Sequence, residues 1–299
     1  MMCFKCVYPK GLTGWLLVLA LVAVFASVLV GLVYAPAMPV ARAETLKGRV
    51  DYYGEHEGSK AQGPQQNGFL GRVTDGRTGK GLGGATVSVP SKGFKTQTDG
   101  SGAYRIREGV LDTQKPMILS VEKDGYAPFS ITIRQSQSPP MQLKLTQLAS
   151  GIVLDSQLRH LGDGSYAPAS SGAGKMRLPA QGIALQIPFR LNGHPVSDKP
   201  TLVIGSIIGL DTMMAHTVEG NPMGVSAGPL LVMVNGRQVA AIQVNGDGQR
   251  IQVPASALNP SGQNMLTVQT GYQVKGYTAW GEQQLDYDDM ELMHLTLYP

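Results

Sequence analysis

The sequence predicts an all-β protein made of two successive β-sandwiches behind an apolar N-terminal leader. Apolar residues recur with a period of two in short runs, and Gly, Asp and Pro punctuate those runs at near-regular spacing. No segment beyond the leader holds a helical period for more than two turns. Short, evenly punctuated strands are what antiparallel sandwiches are built from. A length of 299 residues allows about two folded units after the leader.

Residues 1–43 carry the three parts of an export signal. Lys5 and Lys10 form the basic start, residues 12–35 contain no charge, and Ala41-Arg42-Ala43 supplies small residues at a cleavage site before Glu44. The uncharged run is also long enough to cross about 30 Å of hydrocarbon, so a retained anchor helix is the alternative to cleavage. In either case basic residues hold the N-terminus inside and the rest of the chain is expected outside the cytoplasm. Membrane contact is expected only through this segment. Residues 44–67 read as a flexible linker with almost nothing to bury, and His56 between Glu55 and Glu57 reads as solvated rather than metal-bound.

The net charge of +4 is largely the leader's. Removing Lys5, Lys10 and Arg42 leaves 22 basic against 21 acidic side chains. No dense Lys/Arg stripe appears along the chain, which argues against nucleic acid. Both cysteines, Cys3 and Cys6, precede the apolar run, so burial rather than disulfides must hold the exported part together.

The first domain is expected over residues 68–146. FLGRV, ATVSV, a run from Thr96 to Ile106, MILSVE, SITI and MQLKL alternate apolar and polar residues between Gly/Asp turns. The segments GRVTDGRTGKGLGGATVSV, TQTDGSGAYRI and LSVEKDGYAPFSITI resemble the carboxypeptidase regulatory-like domain. That resemblance implies a seven-stranded transthyretin-like sandwich serving as a spacer or accessory module. Asp75 and Asp99 are read as turn builders, with Asp99 expected to close a tight hairpin, and Tyr104 and Tyr126 as aromatic plugs.

After a hinge at residues 147–150, the second domain is expected over residues 151–299. Its strands are GIVL, IALQIPF, PTLVI, PLLVMV, RIQVP, NMLTV and the closing MELMHLTLY. VMVNGRQV, IQVPASALNPSGQNMLTV, DYDDMELMHLTLYP and the opening HLGDG resemble the galactose-binding-like jelly-roll used by many carbohydrate-binding modules. The paired order also resembles the non-catalytic half of rhamnogalacturonan-lyase-type proteins. The catalytic domain that would precede it has no room in residues 44–67.

Three groups of residues are candidate sites. Tyr272, Tyr277 and Trp280 lie in one glycine-rich loop, with Gln273 and Glu282 as polar neighbours. A sugar's C–H face packs on such rings while its hydroxyls bond to amides and carboxylates; the alternative is that the rings cap the core. The long loop of residues 209–228 carries His216, Glu219 and Asn221, which can serve binding or simply shape an Ω-loop. Asp286, Asp288, Asp289 and Glu291, with Asp163 from the opening loop, are the candidate metal ligands. The jelly-roll resemblance implies a structural calcium there, which takes six to eight oxygens; a solvated acidic turn is the alternative.

No sequence feature assembles a nucleophile, a paired acid and base or a metal-hydrolase helix. The expectation is therefore an exported, non-catalytic accessory protein that binds carbohydrate or a cell-surface polymer. A structural or protein-interaction module ranks second and a glycan-active enzyme third.

Overall fold

The computed structural model describes residues 44–45, 68–111, 116–133, 142–164, 178–210 and 227–299. The leader at residues 1–43, most of the linker and the candidates His216, Glu219 and Asn221 lie outside the described residues.

The described chain is all-β, as its alternation predicts. The edge pair β1 (Glu44–Thr45) is followed by β2 (Gly68–Asp75), β3 (Thr86–Val89), β4 (Phe94–Gln97), β5 (Ala103–Arg107), β6 (Met117–Glu122), β7 (Phe129–Ile133) and β8 (Gln142–Leu145). The second run is β9 (Ile152–Asp155), β10 (Arg159–Leu161), β11 (Ala184–Arg190), β12 (Thr201–Ile208), β13 (Ala227–Gly228), β14 (Leu230–Val234), β15 (Arg237–Ile242) and β16 (Gly246–Gln252). It ends with β17 (Gln263–Gln269), β18 (Tyr272–Tyr277), β19 (Gln283–Tyr287) and β20 (Met290–Tyr298).

Strands β2–β8 form two sheets, β5-β2-β8 and β4-β3-β6-β7, around a core that includes Val73, Val87, Tyr104, Ile106, Leu119, Val121 and Leu143. Each core strand sends alternate residues inward, the signature read from the sequence. The Asp99 turn differs from the expected hairpin. It carries the chain from β4 in one sheet to β5 in the other, with Gly102 at φ 85°. A side chain at Gly102 would meet the Val73 carbonyl at 2.3 Å, so only glycine lets the crossing lie this close.

The second sandwich faces sheet β1-β16-β12-β20-β10, with β9 also on β20, against sheet β11-β17-β14-β15. Its core includes Leu202, Ile204, Val232, Ile251, Leu266, Leu292 and Leu295. Asn235 and Gly236, both at positive φ, make the tight turn between β14 and β15 that the Asn-Gly pair predicts. Buried Asn264 locks this turn from the side. Its Oδ1 accepts from Asn235 Nδ2 at 2.8 Å and from Asn259 N at 2.7 Å. A third sheet, β13-β18-β19, extends from this sandwich.

Glu44 and Thr45, expected in the flexible linker, pair antiparallel with Arg250 and Gln249 at the sheet edge. Nor is the expected hinge free. Gln147 bridges Tyr126, and Leu148 N donates to Gly125 O at 2.9 Å.

The two sandwiches pack directly on each other. Strand β6 sends Met117, Leu119 and Val121 into its own core while Ile118 joins Leu158, Ile208 and Met293 in a separate apolar cluster. A crease in the second sandwich receives this contact. The register of β12 places Gly205 between Gly248 of β16 and His294 of β20, and Gly248 and His294 both have positive φ, 62° and 59°. On either side of that line the inward parity flips. Leu202 and Ile204 point to the core before Gly205 and Ile207 after it, while Ser206 is buried against Ser130 of β7 at 3.0 Å. Asp247 then accepts from the Thr132 backbone N–H at 3.0 Å and from its hydroxyl at 2.7 Å. Strand β7 is the edge of its sheet, so the second sandwich covers an edge that would otherwise offer unpaired backbone groups.

Candidate functional site

The predicted aromatic loop is a β-hairpin. Strands β18 and β19 pair from Tyr272↔Tyr287 to Tyr277↔Gln283, with a register shift between Val274 and Gly276. The residues YQVKGY lack the aliphatic run that marked the core strands, so the sequence reads as loop. At the tip, Gly281 N donates to Thr278 O at 2.9 Å and Thr278 N to Glu282 O at 2.8 Å. Gly281 adopts φ 81°, giving the three-residue turn with a left-handed glycine that closes many hairpins. The Thr278 hydroxyl adds a third tie by accepting from Glu282 N at 3.1 Å.

This rigid tip separates the three candidate rings. Trp280 is 91% exposed and Tyr277 64%, while Tyr272 is half-buried. Tyr272 packs over Gly228, whose missing side chain makes the room, and tilts against Tyr287 with ring centroids 6.2 Å apart. Tyr272 therefore anchors the hairpin and does not belong to the exposed surface. Gln273 is half-buried, in register between Ala227 and Asp286, whereas Glu282 is exposed beside Trp280. Exposed Gln283 and Gln284, which the sequence did not single out, continue the same polar edge.

The hairpin is rooted in the acidic cluster. Thr270 Oγ1 donates to Asp288 O at 2.7 Å, and Asp288 N to Gly271 O at 2.9 Å. A side chain on Gly271 would meet the Asp288 carboxylate at 2.6 Å. Asp288 thus serves the hairpin root.

The opening loop does meet the closing strand. Tyr287 N donates to Asp163 Oδ2 at 3.2 Å, and Gly164 N to Asp289 Oδ1 at 3.1 Å. Buried His160 places Nε2 3.2 Å from the same Asp289 oxygen, and its Nδ1 faces the Leu178 carbonyl. Glu291 sits directly across from His160 in the sheet register. Burial raises the Glu291 carboxyl to about 7. It raises Asp289 as well, against the Gly164 hydrogen bond and the His160 charge. The five expected calcium ligands are not gathered on one point: among the described residues no three His, Cys, Asp or Glu side chains are arranged to hold an ion. Asp289 Oδ1 faces a backbone donor and an imidazole.

Asp75 and Asp99 are turn builders. Asp75 Oδ1 accepts from Arg77 N, Thr78 N and Thr78 Oγ1, and Oδ2 from Tyr126 OH at 2.8 Å. The Thr78 backbone N–H and the Tyr126 hydroxyl lead in holding its carboxyl down at about 2. Asp99 Oδ1 accepts from Ser101 N, Ser101 Oγ and Ala103 N.

No family model and no curated protein matches the chain. Among solved structures it is similar to a protein of Bacteroides uniformis ATCC 8492 provisionally described as carbohydrate binding, at 11% identity and TM-score 0.21, covering 76% of this chain and 98% of that one. A β-porphyranase of glycoside hydrolase family 86 from Bacteroides plebeius gives 12% identity and TM-score 0.26. The match covers 78% of this chain but only 32% of the porphyranase. A protein of unknown function from Bacteroides fragilis NCTC 9343, provisionally described as membrane-associated, gives 13% identity and TM-score 0.21, over 78% and 97%. At those scores the likeness identifies no family.

Proposed function

We propose that the chain is an exported, non-catalytic accessory protein whose β18–β19 hairpin binds carbohydrate. The observation that carries this reading is Trp280, 91% exposed at the tip of a hydrogen-bonded turn, with exposed Tyr277 beside it. A soluble protein gains nothing in stability from an indole in water, and rigid aromatic side chains are favoured where contact area must come at low entropic cost. The tip is already ordered by its own backbone bonds, so little freedom is lost when a ligand docks. Glu282, Gln283 and Gln284 offer carboxylate and amide groups to hydroxyls at the edge of a stacked ring.

The test is a glycan array probed with the chain and with Trp280→Ala, followed by calorimetry on the best ligand. Stacking on an aromatic is worth about 1–3 kcal/mol in nucleic-acid platforms, and its lower end implies about a fivefold weaker affinity for the variant. Circular dichroism must show an unchanged fold. A Trp280→Ala variant that folds and binds as tightly as the wild type overturns the reading.

A further inference from the structure

The first sandwich has two outer faces, and the second sandwich occupies only one of them. The other, on sheet β5-β2-β8, is rich in cations. Its outward positions include Arg72 of β2, Arg105 and Arg107 of β5 and Lys144 of β8, all exposed. No acidic residue occupies an outward position on these three strands, because Asp75 turns inward and bonds Tyr126.

The register spaces these cations apart. Arg107 pairs with Gly68, Arg105 with Leu70, Arg72 with Ala103 and Gln142, and Lys144 with Thr74. Every cation therefore faces an uncharged neighbour, which avoids the cost of like charges directly opposite each other. Lys144 also lines a cleft of about 420 Å³ with Asp75, Gly76, Arg77, Thr146 and Gln147. Arg77, Lys144, Thr146 and Gln147 are exposed there, and Asp75 is already engaged by its own turn and Tyr126.

We propose that this cleft and the adjoining cationic face bind an acidic polysaccharide, with Arg77 and Lys144 engaging its carboxylates. Guanidinium groups match carboxylates in a planar, two-point geometry that an ammonium does not offer. Thr146 and Gln147 supply neutral donors and acceptors suited to sugar hydroxyls. A recess between the cations accepts a saccharide unit, whereas a flat bilayer surface would leave it unfilled. The choice of a carbohydrate among polyanions rests on the function proposed above; the site itself is separate from the hairpin.

Polygalacturonate is the probe, compared with its carboxyl-reduced neutral form and with vesicles of phosphatidylcholine and phosphatidylglycerol. Binding of the full chain should require the carboxylates, weaken as salt screens them, and fall at least tenfold in Arg77→Glu and Lys144→Glu. Trp280→Ala should bind polygalacturonate like the wild type, which separates failure here from failure of the hairpin reading. Equal binding to the neutral polymer, or undiminished binding by both charge reversals in folded protein, overturns the proposal. So does binding to the vesicles without binding to polygalacturonate, which would make the face a membrane contact.

Discussion

Ser120 Oγ of the first sandwich lies 2.8 Å from His294 Nε2 of the second, and both residues are almost fully buried. The pair sits beside the crease, where His294 takes φ 59°, a left-handed conformation that His and Asn tolerate better than most residues. The two sandwiches are thus joined by a polar contact that water cannot replace.

Burial holds the His294 imidazole down at about 4, with Asp155 of β9 pulling the other way. Below the ordinary value of 6.5 the unfolded chain takes up a proton that the folded protein refuses. Stability is therefore lost as pH falls from about 6.5 to 4, by roughly 3 kcal/mol for a shift of that size. Glu291 has the opposite sign. Its raised carboxyl makes the folded state the better proton binder, so its stabilisation is complete below about 4.5 and lost as pH rises to about 7. The two slopes oppose each other across the shared window. Glu291→Gln should unmask a stability that rises with pH there, and His294→Asn one that falls. Denaturant melts at several pH values read both slopes; unchanged profiles in both variants would contradict the assigned burial.

Chelation tests the acidic cluster separately. With Asp289 Oδ1 facing His160 and the Gly164 N–H, the melting temperature should be the same with calcium and with a chelator. A drop on chelation that Asp289→Ala abolishes would restore the calcium expected from the jelly-roll resemblance.

Gly205 is a point of close approach between the sandwiches. A Cβ there would lie 2.5 Å from Ser130 Oγ, 2.8 Å from the His294 Cβ and 3.0 Å from the Met293 carbonyl. Gly205→Ala should cost about 1–3 kcal/mol, the range for overfilling a packed site. Calorimetry should show one transition for the wild type, since the pair shares buried contacts, and Gly205→Ala should begin to split it. Two well-separated transitions in the wild type would contradict the shared unit.

Much of this architecture is legible in the chain. The period of two and the turn residues give the sandwiches, Asn235-Gly236 gives its hairpin, and an indole among glycines points to Trp280. What was missed involves residues that act only once strands are aligned. The crease needs Gly248, Gly205 and His294 side by side, and each alone is an ordinary strand residue. Its one trace in sequence is MELMHL, where apolar alternation stumbles at His294. The β18–β19 hairpin reads as loop in the sequence because its exposed tip and polar edge lack an aliphatic face. The cationic face escaped because Arg72, Arg105 and Lys144 are far apart in sequence and meet only through the register of β2 with β5 and β8.

The most direct test of the central claim uses Trp280 as its own reporter. The chain has two tryptophans, and in a Trp15→Phe background Trp280 is the sole indole. Titrating the best array glycan should shift its emission to the blue as the sugar displaces water from the ring. The shift should saturate at the Kd that calorimetry gives. Binding heat with no change in Trp280 emission would place the ligand elsewhere and contradict the account.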